Sequence, residues 1–179
     1  MPTEETGRKG AVEGFANEHI AVGILMKRYQ NVSLVDLPLS HYDIIIAIKQ
    51  DDGREDIIRA QVKTARDSIS FVGGVRGGAD RTYKSDVKKY RQDTTKADVV
   101  IGVHEIEQGK YALYFVPTCL IEALNQDSIA ISRIEMLREN YEILENCKNR
   151  EYVLDRCKSI IEKPRRRKRT SRKTQRPDN

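Results

Sequence analysis

The chain has no tryptophan, 6% aromatic residues, three histidines and three cysteines among 179 positions. So few aromatics leave a core to be built from Ile, Val and Leu, and 39% hydrophobic residues suffice for one such core at this length. Cys119, Cys147 and Cys157 are odd in number and widely spaced, with no CxxC pair. A disulfide framework is therefore excluded, and with so few histidines a structural zinc site as well; the three thiols are expected to be small buried apolar groups. No apolar run approaches the roughly 18 residues of a membrane span, and residues 1–10 lack the hydrophobic segment of a secretory signal. The composition predicts a soluble protein with no membrane partner. It would be cytoplasmic, nucleoid-associated in a prokaryote or nuclear in a eukaryote.

A globally basic surface is also lacking, although the net charge is +5. Residues 163–179 hold nine Lys or Arg against Asp178, a net of +8, so the first 162 residues carry −3. The positive charge is a tail. Pro164 opens it and no apolar periodicity follows, so 164–179 reads as a disordered, self-repelling segment. Its cations, Arg165, Arg166, Arg167, Lys168 and Arg169 among them, suit sequence-independent attraction to phosphates. A solubilising tail or an import signal is the alternative.

What the chain does have is two strand-like apolar runs, 41–48 and 56–64, joined by the turn-forming Gln50-Asp51-Asp52-Gly53. They form a predicted hairpin carrying Asp43 on one strand and Gln61-Val62-Lys63 on the other. Side chains alternate along a strand, so Gln61 and Lys63 share a face and Val62 points away from it. A carboxylate, an amide and an ammonium thus converge at one sheet edge. Metal-dependent phosphodiester hydrolysis needs such a group. A hard cation takes carboxylate and other oxygen ligands and stabilises charge on the attacked phosphate, while a lysine beside it orients or deprotonates the attacking water.

At these residues the chain resembles the PD-(D/E)xK nuclease superfamily, in particular its restriction and intron-homing endonuclease branches, where a Gln-x-Lys form occurs. The resemblance spans about residues 10 to 118. It implies a helix glutamate, which here is Glu18. Ala21, Val22 and Leu25 follow it on the apolar stripe, an unusual setting for an acid that serves packing alone. Glu13 is the rival, but it lies about 140° round the helix, so both cannot face one cation. Two positions depart from the family pattern: Tyr42 replaces the proline before the aspartate, and Gln61 replaces the second acid. The loss of one charge calls for help from Glu18 and the backbone carbonyl of Val62. The resemblance implies that Glu18, Asp43, Gln61 and the Val62 carbonyl hold Mg²⁺ or Mn²⁺, with Lys63 acting on water and phosphate. It implies an endonuclease cutting duplex DNA, restriction-like or homing-like. Holliday-junction resolution and a catalytically decayed nucleic-acid-binding module are the alternatives.

The remaining segments are read more coarsely. Residues 69–72 suggest a third strand, and 73–78 form a Gly-rich loop centred on Arg76 that lacks the Gly-Lys-Ser/Thr ending of a P-loop. In residues 81–91, Lys84, Lys88, Lys89 and Arg91 alternate with tyrosines, a composition suited to DNA-backbone contact and stacking. Strands are expected at 98–103 and 110–117, with Asp98 in a structural role. A helix follows to about Asn125, then a short run at 128–131, then two helices between Glu135 and Lys163 broken near 146–149. The domain organisation predicted is a flexible 1–9, a nuclease domain over 10–163 and the basic tail. The fold class is α/β (α+β): a restriction-endonuclease-like mixed sheet of about four or five strands flanked by helices. Cutting both strands of a duplex favours a homodimer or higher homo-oligomer.

Overall fold

A computed structural model describes residues 4–37, 40–73 and 90–162. Helix α1 (Glu4–Tyr29) leads. Its buried positions, Asn17, Ala21 and Leu25, recur every four residues and dock it on the sheet, and Gln30, with φ 62°, ends it. Residues 4–9 belong to this helix. A helix nucleated and docked from Asn17 onward extends outward at one hydrogen bond per residue, and Glu5 in the first turn complements the helix dipole.

The central sheet contains β1 (Val32–Leu34), β2 (Ile44–Lys49) and β3 (Glu55–Ala65). Three short strands follow along the chain, β4 (Ser68–Ser70), β5 (Val72–Gly73) and β6 (Tyr90–Arg91), before β7 (Val99–Glu107) and β8 (Lys110–Pro117) return to it. The order is β1-β2-β3-β7-β8, with β3 and β7 parallel and the other neighbours antiparallel. This is the mixed sheet that was expected, with five strands. The β2–β3 turn closes through Gly53, at φ 81°, whose N–H donates to the Gln50 carbonyl. The segment predicted as one strand at 69–72 is split. Strand β4 pairs with β9 (Ser128–Ala130) and β5 with β6, because the Phe71 between them is fully buried and donates its N–H to Asp127 instead.

Both faces of the sheet are covered. Ile44, Ile46, Ile58, Ala60, Val62, Val99, Ile101, Leu113 and Phe115 pack against Ala21 and Leu25 of α1. Val100, Tyr114 and Val116 pack on the other side with Ile69, Phe71 and the C-terminal helices. Those helices are α2 (Thr118–Leu124), α3 (Tyr141–Glu145), α4 (Arg150–Arg156) and α5 (Lys158–Glu162). The break near 146–149 is present, with Asn149 accepting from the Tyr152 N–H as N-cap of α4. Upstream, the expected continuous helix is instead a 3-10 turn at Glu135–Leu137, a reversal and α3. The reversal has a tertiary cause. Glu139, at φ 49°, donates its N–H to the Leu113 carbonyl at 2.8 Å and accepts the Leu113 N–H on its carboxylate at 2.5 Å, covering the exposed edge of β8.

Candidate active site

The site forms where β2 stops and β3 goes on. The β2–β3 ladder begins at Ile44 opposite Ala60, and the Asp43 N–H adds one more bond to the Ala60 carbonyl. From Gln61 to Ala65, β3 keeps only β7 as a neighbour. On the vacated side, the Val62 N–H donates to Asp43 Oδ2 at 2.8 Å and Gln61 Nε2 donates to the same oxygen. The N–H and C=O of one strand residue point the same way, so the Val62 carbonyl faces this opening too, with Gln61 Nε2 3.4 Å away. The Asp43 side chain is therefore fixed by the strand it must serve. Both bonds fall on Oδ2, which leaves Oδ1 for another partner.

Glu18 enters from α1. Burial and the Asp43 charge push its carboxyl up to about 7, with His19 and Lys63 opposing in part. Burial also raises the pKa of Asp43, against the Val62 N–H bond and Lys63, which act to lower it. The Lys63 ammonium is held below the ordinary lysine range by its own burial, although Asp43 and then Glu18 act to raise it. Two carboxyls and an amine thus share one half-buried space, each shifted toward its neutral form. The hairpin acid and lysine expected from sequence do converge, and Glu18 joins them. Glu13 does not: its carboxylate pairs with Arg66 at 2.7 Å.

Among the described residues no three His, Cys, Asp or Glu side chains converge. Any cation here would be held by two carboxylates and neutral oxygens, and such a hard all-oxygen donor set fits Mg²⁺ or Mn²⁺. Burial is the largest cause of the raised Glu18 pKa and the Asp43 charge adds to it, so a cation bound between the two carboxyls would favour their charged forms. Gln61, however, meets Asp43 through its nitrogen, and its Oε1 accepts from Gln92 Nε2 at 3.1 Å. An ionised carboxylate only accepts, so the amide must turn its NH₂ toward it.

Gln92 is the residue that sequence reasoning missed. It is fully buried just past β6 and has no motif around it; only its fold partner, the Phe71 carbonyl that accepts its N–H at 2.8 Å, brings it to Gln61. Asp98 is structural, as expected, with both oxygens engaged by Arg59 at 2.8 and 3.1 Å and one also by the Arg59 backbone N–H at 2.8 Å. Arg91 is engaged by Asp127 and Asn125, a clasp that tethers β6 to the turn before β9. Arg76, Lys84, Lys88 and Lys89, the tail cations Arg165, Arg166, Arg167, Lys168 and Arg169, and residues 1–3 lie outside the described residues. The three cysteines are buried and free. No helix among the described residues is long and apolar enough to cross a membrane.

No protein-family model matches the sequence, and no curated protein does. Among solved structures the chain is similar to a bacterial homing endonuclease, I-Ssp6803I. The two folds superpose with a TM-score of 0.57 over 79% of this chain and 97% of that one, at 14% sequence identity. The likeness is one of fold: a five-stranded mixed sheet flanked by helices.

Proposed function

We propose that the protein is a divalent-metal-dependent DNA endonuclease of the PD-(D/E)xK type in its Gln-x-Lys form. The observation that carries this reading is the placement of Glu18 and Asp43 with Lys63 at the open end of β2, where the Val62 N–H and Gln61 Nε2 hold Asp43 Oδ2 and leave Oδ1 for another partner. The homing-endonuclease likeness of the whole fold supports it. Glu18, Asp43, Gln61 and the Val62 carbonyl would hold Mg²⁺ or Mn²⁺. The bound cation supplies Lewis-acid stabilisation of the negative charge that builds on the phosphate.

The protein's own groups do the rest. The backbone N–H of Val62 fixes Asp43, so the ligand is oriented before substrate arrives. Lys63, with its pKa lowered by burial, positions the attacking water and can take its proton as the new P–O bond forms and the ester P–O bond breaks. In its charged form the same ammonium steadies the phosphate oxygens. The basic tail and residues Arg76, Lys84, Lys88 and Lys89 would meet the DNA backbone, while Arg91, expected to join them, is engaged by Asp127 and Asn125, and a homodimer or higher homo-oligomer would supply a second active site for the opposite strand. Restriction-like or homing-like duplex cleavage leads. A Holliday-junction resolvase would use the same residues.

The test is to incubate the protein with linear duplex, a four-way junction and single strand, each with and without Mg²⁺, alongside Asp43→Ala. Metal-dependent duplex cleavage lost in Asp43→Ala is the expected result, and preference for the junction would favour the resolvase. Binding without cleavage under any divalent cation would mean a decayed, DNA-binding module.

A further inference from the structure

Resting on that reading, we infer that Gln92 is the positioning residue of the site: it determines which end of the Gln61 amide faces Asp43, and the two amides turn over together when a cation is held. As the chain stands, Gln92 Nε2 donates to the carbonyl of His41 at 3.0 Å and to Gln61 Oε1 at 3.1 Å. That arrangement keeps the Gln61 oxygen away from Asp43 and its nitrogen toward it. Gln92 is completely buried, yet its own Oε1 has no hydrogen-bond partner. A buried amide oxygen left without a donor is costly, and such orphans need a reason.

The reason lies next door. If Gln61 turns its oxygen toward a cation, its NH₂ swings to where Gln92 now presents another NH₂. Donor then meets donor unless Gln92 turns as well. Once turned, Gln92 offers the orphaned oxygen to the Gln61 NH₂, gives up its bond to the carbonyl of His41, an exposed residue, and carries its own NH₂ to the place that oxygen held. The pair is thus a two-position amide relay. One position serves the cation-free acid pair and the other the loaded site.

Magnesium titration calorimetry on the full chain tests this with four proteins: wild type, Gln92→Met, Gln61→Glu and the double variant. In Gln92→Met the Gln61 amide can still hold Asp43 when cation-free, but once its oxygen is fixed on the cation its nitrogen lacks the oxygen that the turned Gln92 would offer. We expect Mg²⁺ affinity to fall about tenfold, the usual scale for a lost partner of a metal ligand. A carboxylate has two equivalent oxygens and no end to choose, so in the Gln61→Glu background the same change should stay within about twofold. An equal loss in both backgrounds would show that Gln92 is only a packing residue, and a Gln92→Met protein binding like wild type would also overturn the proposal. Side-chain amide NMR of the unaltered protein gives a readout that needs no variant. Mg²⁺ should move the Gln61 and Gln92 NH₂ signals together, and movement of Gln61 alone refutes the relay while leaving the metal site standing. A wild type that binds no divalent cation would overturn the site reading and the relay with it.

Discussion

Replacing Glu18 by glutamine should stabilise the metal-free protein, and only above acid pH. The Glu18 carboxyl is lifted from 4.5 to about 7 by burial and by Asp43. The fold therefore prefers its protonated form, while the unfolded chain ionises near the ordinary value. Any benefit of that preference is fully present below about pH 4.5 and is lost as pH rises to about 7, because the folded protein must then accommodate a charge the unfolded one carries freely. At 1.36 kcal/mol per unit the shift corresponds to about 3.4 kcal/mol, and partial solvent access trims this to about 2. For a chain of this size that is about 4–8 °C in Tm. Thermal melts of wild type and Glu18→Gln at about pH 5 and pH 8 read the difference, since titration of the groups that do not interact with Glu18 cancels between the two proteins. The variant should melt close to wild type at the lower pH and clearly higher at the upper one. Saturating Mg²⁺ should close the gap at the upper pH, since a cation neutralises the charge that the fold resists and stabilises only the protein that keeps the ligand. A Tm difference independent of pH would refute the raised pKa of Glu18, and with it the picture of a carboxyl buried beside Asp43.

Lys63→Ala and Asp43→Ala should each lower cleavage by at least about a hundredfold while the urea midpoint and DNA affinity stay near wild type, because both groups act at the phosphate and neither is a core packing residue. Gln61→Glu adds a third acid beside two that already repel. It should tighten Mg²⁺ binding in calorimetry and lower the metal-free Tm, whereas an unchanged Tm would mean that Gln61 is not in the shared space. Asp98→Ala removes the partner of a half-buried Arg59 at the β3–β7 seam and should cost about 2 kcal/mol by urea denaturation, a loss that Mg²⁺ does not restore. Deleting residues 164–179 removes eight Lys or Arg and Asp178, a net of +7. The slope of log DNA affinity against log salt should flatten by roughly 0.9 for each phosphate the tail no longer neutralises, with cleavage at saturating protein retained, and an unchanged slope would assign the tail to something other than DNA.

The hairpin was legible because its signals are local. Alternating apolar residues, a Gly-bearing turn and a period of two are enough to set Gln61 and Lys63 on one face and bring Asp43 opposite. Strand β1 was not legible, since three residues, Val32 to Leu34, carry too little pattern to distinguish a strand from a loop end; its place is set by pairing with β2. The division of 135–162 was half legible for the same kind of reason. Asn149 announces a helix start in its own side chain, whereas the reversal at Glu139 exists to cover β8, which only the assembled sheet can demand. Gln92 had no local signal at all. Asp43 and Lys63 are found by charge at hairpin spacing and Glu18 by the family resemblance and its place on an apolar helix stripe, but an isolated glutamine thirty-one residues beyond Gln61 has no signature, and its importance comes from one unmatched oxygen in a buried amide. Nor does the chemistry of Gln61 lie in its own identity. An amide can face Asp43 with either end, and which end it presents is decided by a neighbour that the sequence places far away and the fold brings within 3.1 Å. On the proposed reading the site is specified by two glutamines rather than one, with Gln92 deciding which end of its amide Gln61 presents to Asp43.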